Sequence, residues 1–315
     1  MQQILFIDTA HPVLQQRLEV MGFSCDFFPS HSYDDFLAII HNYTGIVVRS
    51  KIPLDAPLLK KATSLRFIAR VGAGMENIDE KTANDLGIVC LNAPEGNRNA
   101  VAEHAMGMLL SLLNHLTRVD AEVRQGIWKR AENRGHEIKH KTISILGYGN
   151  TGSSFAQKLA GFETHTLAYD KYKSGFSNAF VKEATMEQIF AETDILSLHL
   201  PLTDETKWLV DTAFIKRFAK PIYLINTARG QIVRTSDVID ALNEGRILGA
   251  CFDVLEYEKF SFEDIQSQTL PEAFQTLLRM PNVLLSPHIA GWTHESHLKM
   301  AEVLADKIEN LINKK

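Results

Sequence analysis

Thr142-Ile-Ser-Ile-Leu-Gly-Tyr-Gly-Asn-Thr-Gly152, with the 18 residues that carry the chain on to Asp170, decides the fold. Ile143 to Leu146 is a short apolar run of the kind that forms a buried strand, and the turn Gly147-Tyr148-Gly149-Asn150-Thr151-Gly152 follows at once. Beyond it Phe155, Ala156, Leu159 and Ala160 recur at helical spacing, and a second apolar run, His165 to Tyr169, ends in the acid Asp170. Strand, GxGxxG turn, helix, strand and acid together form a dinucleotide-binding fingerprint. Gly147 permits the tight turn, Gly149 lets a pyrophosphate approach the backbone, and Gly152 lets the helix pack closely on the strand. The helix N-terminus offers unpaired N–H groups and the positive end of its dipole to the phosphates, with Asn150 and Thr151 as N–H donors. Asp170 can accept from both hydroxyls of an adenosine ribose and would repel a 2′-phosphate, so NAD is expected rather than NADP. Lys171 and Lys173 weaken that preference.

Working outward, 315 residues suggest two domains, each able to bury a core. The 33 basic and 38 acidic residues give a formal charge of −5, well mixed along the chain, which argues against a nucleic-acid surface. Cys25, Cys90 and Cys251 are far apart and lack paired spacing, so they read as reduced core thiols, with no metal site expected. The chain enters Ile4-Leu5-Phe6-Ile7 directly, without a basic leader, and its most apolar helical stretch, near Ala105 to Leu116, is too short and polar to span a membrane. A cytoplasmic protein without a membrane partner is expected.

Ahead of the fingerprint lie about four apolar runs, Ile4 to Ile7, Gly45 to Val48, Leu65 to Ala69 and Ile88 to Leu91, with helix-like segments between them. This alternation predicts a parallel sheet covered by helices. Asn92 to Arg98 reads as a crossing loop, and a long helix is predicted from about Ala100 to Val123. Its wide apolar stripe must be buried, either at a homodimer interface or wedged between two domains. From Thr142 on, six strands are expected, near 143–146, 165–169, 195–198, 222–226, 249–253 and 283–286. A last helix, roughly Glu295 to Ile312 and capped by Thr293, returns to the first domain. The fold class is therefore α/β in two domains. A Rossmann doubly wound sheet, residues 97–288, is inserted into a discontinuous flavodoxin-like βα substrate domain, residues 1–96 and 289–315.

Ligands of open parallel sheets bind beyond the carboxyl ends of the strands. Three neighbouring strand ends there deliver Asn226-Thr227-Ala228-Arg229-Gly230, then Asp253 with Glu256 and Glu258, then Ser286-Pro287-His288. An arginine, a carboxylate and a histidine thus emerge on neighbouring strand ends beside the nucleotide. Chemistry alone does not separate Glu256 from Glu258.

These stretches make the resemblance specific. With Arg70-Val-Gly-Ala-Gly-Met-Glu-Asn-Ile-Asp79, Asn97 to His104 and His199-Leu-Pro-Leu-Thr203 added, the chain resembles the D-isomer-specific 2-hydroxyacid dehydrogenase family over nearly its whole length. The resemblance implies that a discontinuous substrate domain closes over a central NAD domain. It implies His288 as the acid/base that gives a proton to the keto oxygen as hydride leaves the nicotinamide, and Glu258, by its spacing from Asp253, as the carboxylate that stabilises the imidazolium. Arg229 would grip the substrate carboxylate with its planar fork. Asp253 matches the residue that binds the nicotinamide carboxamide, while His199, Thr227 and Ala228 fall in cofactor-binding motifs. Ala73 and Gly74 match the substrate-anchoring loop.

Arg49 and Lys51, at another strand end, suit a phosphorylated substrate, against the plainer reading of a solvated charge pair. The substrate expected is 3-phosphoglycerate/3-phosphohydroxypyruvate, as in serine biosynthesis. Glyoxylate or hydroxypyruvate reduction is the alternative, and a non-catalytic NAD(H)-sensing protein is the alternative of another class. Two departures stand out. Lys259 replaces the proline that commonly follows the glutamate, and the loop 259–280 is longer than usual, close to the expected active-site mouth. No C-terminal regulatory domain is expected after the closing helix.

Overall fold

All named strand pairings in the computed structural model, which describes residues 2–258 and 271–313, are parallel. The described residues fall into two compact units, 2–98 with 292–313 and 99–258 with 271–291. The first holds a sheet of β1 (Gln3–Phe6), β2 (Ser24–Phe27), β3 (Gly45–Val48), β4 (Phe67–Arg70) and β5 (Val89–Leu91), in the order β2-β1-β3-β4-β5. That is the flavodoxin-like order. The second holds β6 (Thr142–Leu146), β7 (His165–Tyr169), β8 (Lys182–Glu183), β9 (Ile195–Leu198), β10 (Ile222–Asn226), β11 (Ile247–Phe252) and β12 (Val283–Leu285). Their order, β12-β11-β10-β9-β6-β7-β8, is the doubly wound one, reversing beside β6 where the glycine turn begins.

Each sheet is covered on both faces. In the second unit Ile143 and Ile145 of β6 enter one apolar cluster with Phe155 and Leu159, while Leu146 joins the opposite cluster with Leu196, Leu198 and Leu224. Between them Ser144 is fully buried, and its hydroxyl is satisfied by Thr193 Oγ1 at 2.6 Å. In the first unit Ile46 and Val48 face one cluster and Val47 the other.

Several expectations need correction. The first sheet has a fifth strand, Ser24–Phe27, beyond the four apolar runs, and none of its residues is buried. The second sheet has a seventh, the two-residue Lys182–Glu183. The proposed crossing loop is helical, because Pro94 opens a helix, Pro94–Leu113, at the position where its missing N–H is tolerated. Gly96 is needed there, since a Cβ would lie 2.6 Å from the Met300 backbone. The long helix is two helices, Pro94–Leu113 and Leu116–Arg124, broken where His115 takes a left-handed φ of 54°. The apolar stripe Ala102 to Leu113 packs into its own unit's core against Ile143, Ile145 and Phe155, while Leu116 and Val123 are each 51% exposed. Of the loop 259–280, Glu272–Leu277 is a short helix, whereas 259–270, with Lys259, lie outside the described residues. The last helix is His294–Asn313, with Thr293 Oγ1 accepting from Ser296 N at 3.0 Å. Among the described residues no helix is long and apolar enough to cross a membrane.

Candidate active site

The glycine turn leaves β6 with Gly147 at φ 91°, its N–H bonded to Tyr169 O at 2.9 Å. A Cβ on Gly147 would sit 2.4 Å from His199 O, and one on Gly152 would sit 2.1 Å from Gly147 O. Both positions are closed to any side chain. Gly149 differs, for a Cβ there would meet nothing within 4 Å. It precedes the helix Asn150–Leu159, whose N-terminus no side chain caps. An open glycine at an uncapped helix start fits a pyrophosphate. Asp170 Oδ2 and Oδ1 accept from the N–H groups of Tyr148 and Tyr172, both at 2.9 Å, and keep further lone pairs for a ribose. Lys171 is paired with Glu205 at 2.7 Å, and Lys173 reaches Tyr148 O at 3.2 Å. Thr227 Oγ1 is buried with no partner among the described residues, a hydroxyl that a bound ligand would satisfy. These residues fit NAD. Asp170→Ala is expected to weaken NADH binding by about tenfold or more while sparing NADPH, the size of one hydrogen bond to a charged group. Titration of both nucleotides by fluorescence checks it, and equal weakening of the two would contradict the assignment.

His199 does not line this turn as an open ligand. It is buried behind it, Nε2 2.9 Å from Ser197 Oγ and Nδ1 3.2 Å from Thr151 Oγ1, with Phe155 packed 5.3 Å away. Burial lowers its pKa from 6.5 to about 3, so the ring is neutral at pH 7. The unfolded chain takes up a proton below pH 6.5 that the folded one refuses, so this stability is present above pH 6.5 and is lost as pH falls towards 3. Going from pH 6.5 to about pH 5 removes about 2 kcal/mol through this group. Urea midpoints at the two pH values check it. His199→Gln should flatten the difference, and an unchanged slope would contradict it.

The three strand ends come next. After β10 the Asn226 side chain fixes the turn, Nδ2 donating to Arg229 O at 2.9 Å and Oδ1 accepting from Ala228 N at 3.1 Å. Arg229 Nη1 donates to Ala228 O at 2.6 Å. Gly230 lies so close to the segment after β11 that a Cβ would be 1.9 Å from Leu255 O. After β12, His288 Nδ1 stands 2.6 Å from Glu258 Oε2. A carboxylate only accepts, so Nδ1 carries the proton of this bond. Glu258 Oε1 also accepts from Leu255 N. Glu256 has different partners, Trp208 Nε1 and Thr235 N, both at 2.9 Å. The two glutamates that chemistry could not separate in the sequence are therefore separated by their bonds.

Asp253, 1% exposed, accepts from Ile289 N at 2.9 Å, Ala290 N at 2.8 Å and Ser286 Oγ at 2.6 Å. Its carboxylate holds the turn that carries His288. The sequence reading quoted Asn226, Ser286 and His104 within motifs but gave them no role; His104 Nε2 is 2.9 Å from Ser286 Oγ. A signal for His104 existed: it interrupts the apolar face formed by Val101, Ala105 and Met108. Among the described residues no group of three or more His, Cys, Asp or Glu could hold a metal.

In the first unit, Asp8 Oδ2 accepts from the backbone N–H groups of Arg49, Ser50 and Lys51 at 2.6, 2.9 and 3.1 Å. The Arg49 guanidinium lies 4.2 Å over the Trp292 ring, and burial lowers its pKa. Lys51 is tied elsewhere, Nζ donating to Pro29 O at 2.7 Å. The turn at Ala73 and Gly74 is fixed by Asn92 Nδ2, which donates to Ala73 O at 2.7 Å.

Residues 106–290 match the family model for the D-isomer specific 2-hydroxyacid dehydrogenase, NAD binding domain. The chain is 30% identical over 307 residues to a D-3-phosphoglycerate dehydrogenase from Archaeoglobus fulgidus, covering 96% of this chain and 56% of that one. It is also 30% identical over 275 residues to a hydroxypyruvate reductase from Thermotoga maritima, covering 87% of each. The chain spans about half the length of the D-3-phosphoglycerate dehydrogenases it matches. A solved D-lactate dehydrogenase from Aquifex aeolicus has the same fold, with a TM-score of 0.83 at 24% identity over 98% of this chain and 95% of that one. By the match over its nucleotide domain and by relatives aligned along most of its length, the chain belongs to the D-isomer specific 2-hydroxyacid dehydrogenase family.

Proposed function

We propose that the protein is an NAD-dependent D-2-hydroxyacid dehydrogenase that interconverts 3-phosphoglycerate and 3-phosphohydroxypyruvate. The observation that carries the reaction class is the Glu258–His288 pair, 2.6 Å apart beyond two neighbouring strand ends of the nucleotide-binding unit. Bound NADH supplies the hydride. In keto-acid reduction His288 gives the proton on Nε2 to the carbonyl oxygen, and in oxidation it takes that proton back. Glu258 fixes the ring through Nδ1 and stabilises the imidazolium that precedes transfer. Arg229 holds the substrate carboxylate and orients the carbonyl.

The phosphorylated substrate is supported by Arg49. Its guanidinium is stacked and partly buried, while the nearby Asp8 carboxylate is engaged by backbone N–H groups. A phosphate is a fitting partner for such a cation. Lys51 adds less to this reading than the sequence suggested, since its ammonium already holds Pro29 O. Hydroxypyruvate reduction is the second reading, favoured by the Thermotoga maritima relative that aligns over 87% of its own length. Comparison of kcat/KM for NADH-linked reduction of 3-phosphohydroxypyruvate, hydroxypyruvate and glyoxylate tests the choice. The phosphorylated acid should lead, and a lead for hydroxypyruvate or glyoxylate would overturn the substrate assignment.

A further inference from the structure

His288 has a left-handed backbone, φ 54°, which is unfavourable for a residue with a Cβ. Such conformations persist where the surroundings over-determine them. Here Asp253 supplies the constraint. Its main-chain O accepts from His288 N at 2.7 Å, and its carboxylate takes the next two backbone N–H groups and the Ser286 hydroxyl. Behind Ser286 stands His104, on the helix Pro94–Leu113, with Nε2 2.9 Å from Ser286 Oγ and 3.5 Å from Asp253 Oδ1. Ser286 has a single hydroxyl proton. The Asp253 carboxylate, which only accepts, takes it at 2.6 Å in preference to the Met108 sulfur at 3.6 Å. His104 Nε2 must then be the donor to Ser286 Oγ. A directed chain results, from His104 to Ser286 to Asp253, ending on the turn that aims the His288 ring at Glu258.

We propose that His104 is a positioning residue for His288, acting through Ser286 and Asp253. The inference rests on the reading of His288 as proton carrier. It adds to that reading a device on a distant helix that sets where the imidazole sits.

His104→Phe keeps a ring of similar size and removes the donor, whereas His104→Gln returns an N–H donor near the same place. In His104→Phe the Ile289 and Ala290 amides should exchange with solvent about tenfold faster, and kcat should fall about tenfold with KM for NADH unchanged. His104→Gln should restore both. Ser286→Ala should act in the same direction, and the double variant His104→Phe/Ser286→Ala should add little to either single change. Unchanged exchange at 289 and 290 in His104→Phe overturns the inference whatever the turnover, and so does faster exchange with an unchanged kcat. A wild-type protein that reduces no 2-keto acid, with exchange still accelerated in His104→Phe, defeats the reaction reading alone and leaves the positioning of His288 standing.

Discussion

His288→Ala lowers kcat for keto-acid reduction by at least about a hundredfold, the scale of positioned general acid catalysis. The proton has one visible route. Glu258 occupies Nδ1, so only Nε2 can exchange with substrate, and no other imidazole is paired with Glu258 among the described residues. NADH affinity should change little, because the glycine turn and Asp170 lie beyond other strands, β6 and β7. Glu258→Gln separates the two functions of the pair. It keeps an acceptor for Nδ1 and removes the charge, so its loss of kcat should be smaller than that of His288→Ala. Steady-state rates together with an NADH titration check both. A His288→Ala enzyme with near-normal kcat would remove the proton carrier from the account.

Gly152→Ala has the second large effect. Its Cβ would stand 2.1 Å from the Gly147 carbonyl oxygen, a backbone atom that cannot swing aside as a side chain could. The turn must shift, and a displacement of about 1 Å in a positioning element costs about a hundredfold. NADH binding should therefore fall about a hundredfold, with a measurable loss of thermal stability. Gly149→Ala supplies the contrast, since nothing lies within 4 Å of its Cβ. That variant should keep its melting temperature and still bind NADH poorly, because the space it fills is the one assigned to pyrophosphate. Gly107→Ala, in the helix Pro94–Leu113 with open space around it, serves as the control for both. Tight NADH binding by Gly152→Ala would contradict the assignment of this turn.

What the sequence made legible follows local rules. Ile143 to Leu146, Gly147 to Gly152 and Asp170 could be read because strand period, glycine spacing and an acid at the next strand end each carry their own signal. Both sheets could be inferred from alternating apolar runs. Ser24–Phe27 and Lys182–Glu183 were not counted, because both are edge strands that bury little, and the second is only two residues long. The break at His115 was hidden for a related reason. A single left-handed residue interrupts a helix without changing the apolar pattern on either side of it. Among site residues, chemistry left Glu256 and Glu258 equivalent, and only the tertiary partners distinguish them: Trp208 and Thr235 for one, His288 for the other. The role of Asp253 in holding the turn at 286–290 depends on bonds across 33 to 37 residues of chain. No local pattern encodes contacts of that range.

The central claim is that one unit of this chain binds NAD and presents His288, paired with Glu258, to a 2-keto acid. NADH oxidation monitored with 3-phosphohydroxypyruvate, hydroxypyruvate, glyoxylate and pyruvate tests it most directly. Turnover with at least one of them, giving the D-isomer wherever the product is chiral, is the predicted result. Tight NADH binding with no oxidation in the presence of any of the four would contradict it.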